Sequence, residues 1–79
     1  MIDEVRFNLK AVVNSDIREH ITYVFEHFVK EHDGERWTSF LIESLINDML
    51  IVAKHYGYKF VRVIEDNILY IKVVRDETL

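Results

Sequence analysis

The sequence predicts an α+β domain in the order β-α-α-β-β, with two helices packed on one face of a three-stranded sheet. Three observations predict it. Residues 5–13 alternate between apolar and polar side chains. Two stretches with helical spacing follow, and each runs into one of the chain's two glycines, Gly34 and Gly57. The last third holds two runs rich in β-branched and aromatic residues, split by Glu65-Asp66-Asn67. With 79 residues and no proline, the chain has room for a single domain over 1–79 and shows no linker.

The first strand is expected over residues 5–13. Val5, Phe7, Leu9, Ala11 and Val13 point one way, and Arg6, Asn8 and Lys10 point the other, with Val12 as the exception. Asn14-Ser15-Asp16 then starts a helix. With Asp16 as the cap, Glu19 completes a capping box. Ile17, Ile21, Val24 and Phe28 form the apolar stripe, and Phe25 and Val29 widen it. Gly34 ends this helix because it accepts a left-handed backbone.

A second helix is expected over residues 35–55. Trp37, Leu41, Leu45, Met49, Val52 and Tyr56 line one side. Ile42, Ile46, Leu50 and Ala53 lie beside them, so only a narrow polar strip remains. A helix apolar over most of its circumference needs cover on more than one side. One small sheet and one neighbouring helix look insufficient, and a homodimer through Ile42, Ile46 and Leu50 is the expected remedy. Gly57 closes the helix, with Lys54 and His55 in its last turn to complement the dipole.

Residues 58–65 and 68–75 form a hairpin. Its turn length decides which side chains face outward. A two-residue loop places Arg62 opposite Ile71 and mixes polar and apolar residues on both faces. A three-residue loop gives a clean core face of Val61, Val63, Leu69, Ile71 and Val73, and is preferred on that ground. The predicted core joins these strand residues, with Phe7 and Leu9, to Ile21, Val24, Phe28, Leu41, Leu45 and Met49. The outer face then carries the cations Arg6, Lys10, Arg62 and Lys72 among the rings of Tyr58, Phe60 and Tyr70. Whether the first strand pairs with the second or the third stays open.

Charge and residue types exclude several functions. Ten Lys and Arg against fourteen Asp and Glu give a net charge of −4, which argues against a general nucleic-acid binder. With no cysteine, disulfides and thiolate chemistry are impossible, and a cytoplasmic setting is expected. No apolar run approaches the ~20 residues of a membrane-spanning helix, so no membrane partner is expected. Among the histidines, His20 and His27 are about 10 Å apart along a helix, too far to share a metal. His32 and His55 add no ligand spacing, so no metal and no cofactor are expected. Ser15 belongs to a helix start, while Ser39 and Ser44 lack a nucleophile elbow. An enzyme is not expected.

What remains is contact with other molecules. The expectation is a small non-catalytic regulatory or inhibitor-type protein acting by protein–protein contact, as a homodimer. The alternative is a nucleotide or single-stranded nucleic acid held on the outer sheet face by Arg6, Lys10, Tyr58, Phe60, Arg62, Tyr70 and Lys72, with bases stacked on rings and phosphates met by cations.

Overall fold

A computed structural model describes residues 1–77. Five elements follow one another in the predicted order: β1 (Glu4–Asn8), α1 (Ser15–Glu31), α2 (Ser39–His55), β2 (Tyr58–Glu65) and β3 (Ile68–Arg75). The sheet order is β1-β3-β2. β1 runs parallel to β3 and β2 antiparallel to it. That answers the open pairing of the first strand. The parallel pair is possible because both helices lie between β1 and β3 in sequence and supply the crossover.

The helices cover one face of the sheet. Ile21 of α1, Leu45 and Met49 of α2, and Leu69, Ile71 and Val73 of β3 have almost no contact with solvent. Such side chains contribute roughly 1.5–3 kcal/mol each by leaving water. Phe7 of β1 stacks on Phe25 of α1 with ring centroids 4.7 Å apart, which ties the outer parallel strand to the helix layer.

Three boundaries differ from the sequence reading. β1 ends at Asn8 rather than residue 13, because the Asn8 side chain accepts from the Lys10 N–H and turns the chain. The turn sends Val12 into the core and leaves Val13 exposed. Arg18 pins this turn by donating from one guanidinium nitrogen to the Leu9 and Val12 carbonyls, at 2.7 and 2.9 Å. The cap of α1 is Asn14, not Asp16: its side chain accepts from the Ile17 N–H at 3.1 Å. α2 starts at Ser39, not residue 35, because Thr38 caps it and accepts from the Leu41 N–H. Residues 35–37 stay outside the helix, and Trp37 forms an antiparallel bridge with Ile2. Gly34 and Gly57 both take φ +83°: Gly57 directly follows the C-cap of α2, and Gly34 lies in the His32–Glu35 turn just beyond the α1 cap.

The hairpin register is the main correction. Glu65 pairs with Ile68, so the loop has two residues, Asp66 and Asn67, with φ +52° and +62°. Two successive left-handed residues make a type I′ turn, whose twist matches the strands it joins. Apolar patterning alone favoured the longer loop, and turn geometry overrode it. Val61 and Val63, expected in the core, therefore stand on the outer face, 43% and 50% exposed. Tyr58, Phe60 and Arg62 turn toward the helices instead.

Candidate functional site

The outer sheet face is built by alternate residues of three strands. β1 presents Glu4, Arg6 and Asn8 beside Ile68, Tyr70 and Lys72 of β3. β2 presents Lys59, Val61, Val63 and Glu65 beside Val74, Lys72, Tyr70 and Ile68. The result is a mixed face: Ile68, Tyr70, Lys72 and Val74 along the central strand, polar residues on β1, and Val61 and Val63 between Lys59 and Glu65 on β2. A shallow groove of about 470 Å³ crosses this face, lined by Arg6, Lys10, Arg18, Lys72, Val61 and Tyr70 among others.

Two of the four cations in the groove are already engaged. Arg6 donates to Glu4 at 2.6 Å and sits over the Tyr70 ring, 5.9 Å from its centroid. That hydrogen bond holds the Glu4 carboxyl below its ordinary value and Arg6 above its own. Arg18 holds the turn after β1. Lys10 and Lys72 lack an ion-pair partner among the described residues.

The seven residues expected on one binding face divide in two. Arg6, Lys10, Tyr70 and Lys72 share the outer face. Tyr58, Phe60 and Arg62 do not join them. Tyr58 is buried, and Phe60 packs against the core. Arg62 reaches over the edge of the sheet to α2, where it forms a forked pair with Glu43: one nitrogen to each carboxylate oxygen, the longer bond at 3.1 Å. The pair holds Glu43 below its ordinary range, with the hydrogen bond as the main cause. The physical reason for the division is the two-residue turn, which exchanges odd and even residues of β2 between the faces.

The three α2 residues expected at a dimer interface are also placed otherwise. Ile42 and Ile46 are buried among the chain's own core residues, and Leu50 is half-buried. One sheet and one helix do cover most of α2, so the argument for helix-mediated association no longer holds. The large apolar side chains left outside on this helix are Phe40 and Ile51, 81% and 74% exposed. The sequence reading missed Val61 and Val63 as surface residues and Glu43 as the partner of Arg62. The signal that would have found all three was Asp66-Asn67 read as a type I′ pair.

The rest of the surface offers less. The solvent side of α1 forms a broad, open concavity over Ser15, Glu19, Tyr23, Glu26 and His27, with acids and bases intermixed and no converging polar groups. His27 pairs with Glu31 at 2.7 Å and His32 with Glu35 at 2.6 Å, the helical and loop neighbours rather than the glutamates that precede them. His20 lies 3.3 Å from the Tyr56 hydroxyl. Among the described residues no group of three or more His, Asp or Glu could hold a metal ion. Among them, too, no helix is long and apolar enough to cross a membrane. Comparison with known proteins finds no matching family, no matching curated protein and no matching solved structure.

Proposed function

We propose that this chain is a non-catalytic regulatory or inhibitor-type protein that acts by protein–protein contact, with the outer sheet face and its β2 border as the contact surface. One observation carries the reading. Val61 and Val63 stand open to solvent on the edge strand β2, beside Tyr70 and Lys72 of the central strand and between Lys59 and Glu65. Exposed apolar side chains next to an aromatic ring, with charges close by, suit a protein contact. A cytoplasmic setting belongs to the same proposal and rests on a chain without cysteine.

Site-specific photo-cross-linking tests it. A photoreactive residue replaces Val63 in one variant and Tyr23, on the solvated side of α1, in another. Both are irradiated in cells that make the protein. A discrete protein adduct at position 63 and none at position 23 is the expected result. Adducts at neither position, or equally at both, would discard the reading.

A second reading keeps a specific observation of its own: Lys10, Lys72, Arg6 and Arg18 converge on one groove beside the Tyr70 ring. A single-stranded oligonucleotide bound there should dissociate steeply as salt rises, and Lys10→Glu with Lys72→Glu should abolish its binding. The prior engagement of Arg6 and Arg18, and the loss of Tyr58 and Phe60 to the helix side, place this reading second.

A further inference from the structure

β2 is an outer strand, paired on one side only. The pairing pattern says which of its backbone groups are unused. Glu65 and Ile68 close a two-residue loop and so exchange hydrogen bonds, and the Asp76 N–H donates to the Gly57 carbonyl in the same phase. The odd-numbered residues of β2 therefore bond to β3. Phe60, Arg62 and Ile64 direct their N–H and C=O groups away from the sheet. The strand holds no proline, its residues from Val61 to Glu65 are all exposed with Ile64 at 66%, and of its three charges Lys59 and Glu65 lie near the ends while Arg62 is paired with Glu43.

The strand is also complementary to itself. Laid antiparallel to a copy with Arg62 at the centre, Val61 meets the partner's Val63, Phe60 meets the partner's Ile64, and Lys59 meets the partner's Glu65. This register matches the backbone as well, because it sets the outward-directed Phe60, Arg62 and Ile64 against the same set on the partner. The neighbouring register, centred on Val61, keeps a pair of Val61 with its copy but sets Lys59 against Val63 and Phe60 against Arg62, so it loses the opposite-charge pairs and breaks the apolar run. At the centre of the favoured register two arginines meet, and each already carries its own Glu43. Like charges directly opposite would otherwise oppose the pairing.

We infer that a second copy of this chain docks along β2, in the antiparallel register centred on Arg62. The two-fold axis runs through Arg62 perpendicular to the sheet. The product is one continuous sheet in the order β1-β3-β2-β2-β3-β1, with all helices on one face and a doubled outer face on the other. The inference rests on the protein-contact reading and names the partner.

The absence of native cysteine gives a clean test of the register. Val61→Cys and Val63→Cys are each exposed substitutions on the outer face. In the Arg62-centred register, residue 61 and the partner's residue 63 form a pair without mutual backbone bonds, whose Cα atoms lie about 4.5 Å apart, within disulfide reach. Mild oxidation should therefore leave each variant alone uncross-linked and should link an equal mixture of the two. Light scattering on the unmodified chain should give twice the mass of one chain. Lys59→Glu should raise the dimer dissociation constant about tenfold, since two like-charge pairs replace two opposite ones, and adding Glu65→Lys in the same chain should restore it.

Cross-linking of Val61→Cys with itself would place the axis elsewhere and overturn the register. Doubled mass with no link in the mixture would move the interface off β2. A single-chain mass at all concentrations would overturn the dimer, while a photo-adduct between position 63 and a different protein would leave the broader protein-contact reading standing.

Discussion

β1 and β2 both flank β3, yet they close the sheet in different ways. β1 runs for five residues, and the chain just before it is tied down: Ile2 bridges to Trp37, and the Asp3 N–H donates to the Asn67 carbonyl at 2.8 Å. Its exposed side chains are charged or amide, Glu4, Arg6 and Asn8. β2 runs for eight residues with Val61, Val63 and Ile64 in the open. Short length, charge and a covering segment are the usual means of protecting a sheet edge. β1 is short and charged, with a bridge at Ile2 just before it, whereas β2 is longer and has a charge near each end and one neutralised arginine. An edge left unprotected in a chain that protects the other one reads as a surface meant to be used.

The largest effect should come from the strand that both edges share. Ile71 of β3 is fully buried and pairs with Phe7 on one side and Arg62 on the other. Ile71→Ala should cost about 2–5 kcal/mol in urea unfolding. Hydrogen exchange should show β1 and β2 losing protection together. Retained protection in β1 alone would mean the edges are not held by a common core.

The next effect separates the two sides of β2. Val63→Pro removes a hydrogen bond to β3 and leaves the carbonyl of Tyr70 bare, for about 1–3 kcal/mol. It should lower Tm even at concentrations where the chain is monomeric. Ile64→Pro removes only an outward donor, so its penalty should grow with concentration, as dimer stability enters the measurement. Equal, concentration-independent losses for the two variants would say that the outer edge of β2 pairs with nothing.

The same hairpin marks where sequence reasoning stops. Element order, both helix ends at Gly34 and Gly57, and the spans of β2 and β3 were legible, because local backbone preference and apolar spacing agree there. The faces of β2 were not. A sheet covered on one side was expected to sort its valines inward, but β2 lies at the margin of the helix layer. There α2 offers Glu43 at an exposed margin, so Arg62 is accommodated on the helix side while still solvated, and Val61 and Val63 take the other face. The site inherits that error: Arg6, Lys10, Tyr70 and Lys72 were placed together from sequence, while Tyr58, Phe60 and Arg62 were assigned to the wrong face. The early end of β1 was missed for a smaller reason, an asparagine whose side chain turns the backbone inside an alternating pattern.

Turn chemistry should therefore be testable as the cause of the register. Asn67→Val places a β-branched residue at φ +62°, and should cost about 1–2 kcal/mol in thermal or urea unfolding. Asn67→Gly should be neutral or stabilising, since Gly is the preferred residue at this position of a type I′ turn. A reversed order for the two variants would mean that strand packing, and not the turn, sets which face Val61 and Val63 occupy.

The smallest effect compares the ion pairs that the two edges carry. Glu4 and Arg6 lie two residues apart on β1 and remain neighbours in the unfolded chain, whereas Glu43 and Arg62 meet only when α2 packs beside β2. Both carboxyls sit below their ordinary value in the folded protein, each because its arginine donates to the charged form. A lowered carboxyl contributes stability above its unfolded value, about pH 4.3 for glutamate, and loses it as pH falls through the folded value. Because proximity in the unfolded chain lowers the reference for Glu4 as well, the contribution of that pair should nearly cancel. Glu43→Gln should therefore lower Tm at neutral pH by a small margin that shrinks on acidification below about pH 4, while Glu4→Gln should leave Tm unchanged across the same range. Both pairs are solvated, so added salt should narrow the Glu43 difference further. An effect of Glu4→Gln equal to that of Glu43→Gln would show that the two edges are electrostatically alike, and that what distinguishes them lies in backbone pairing alone.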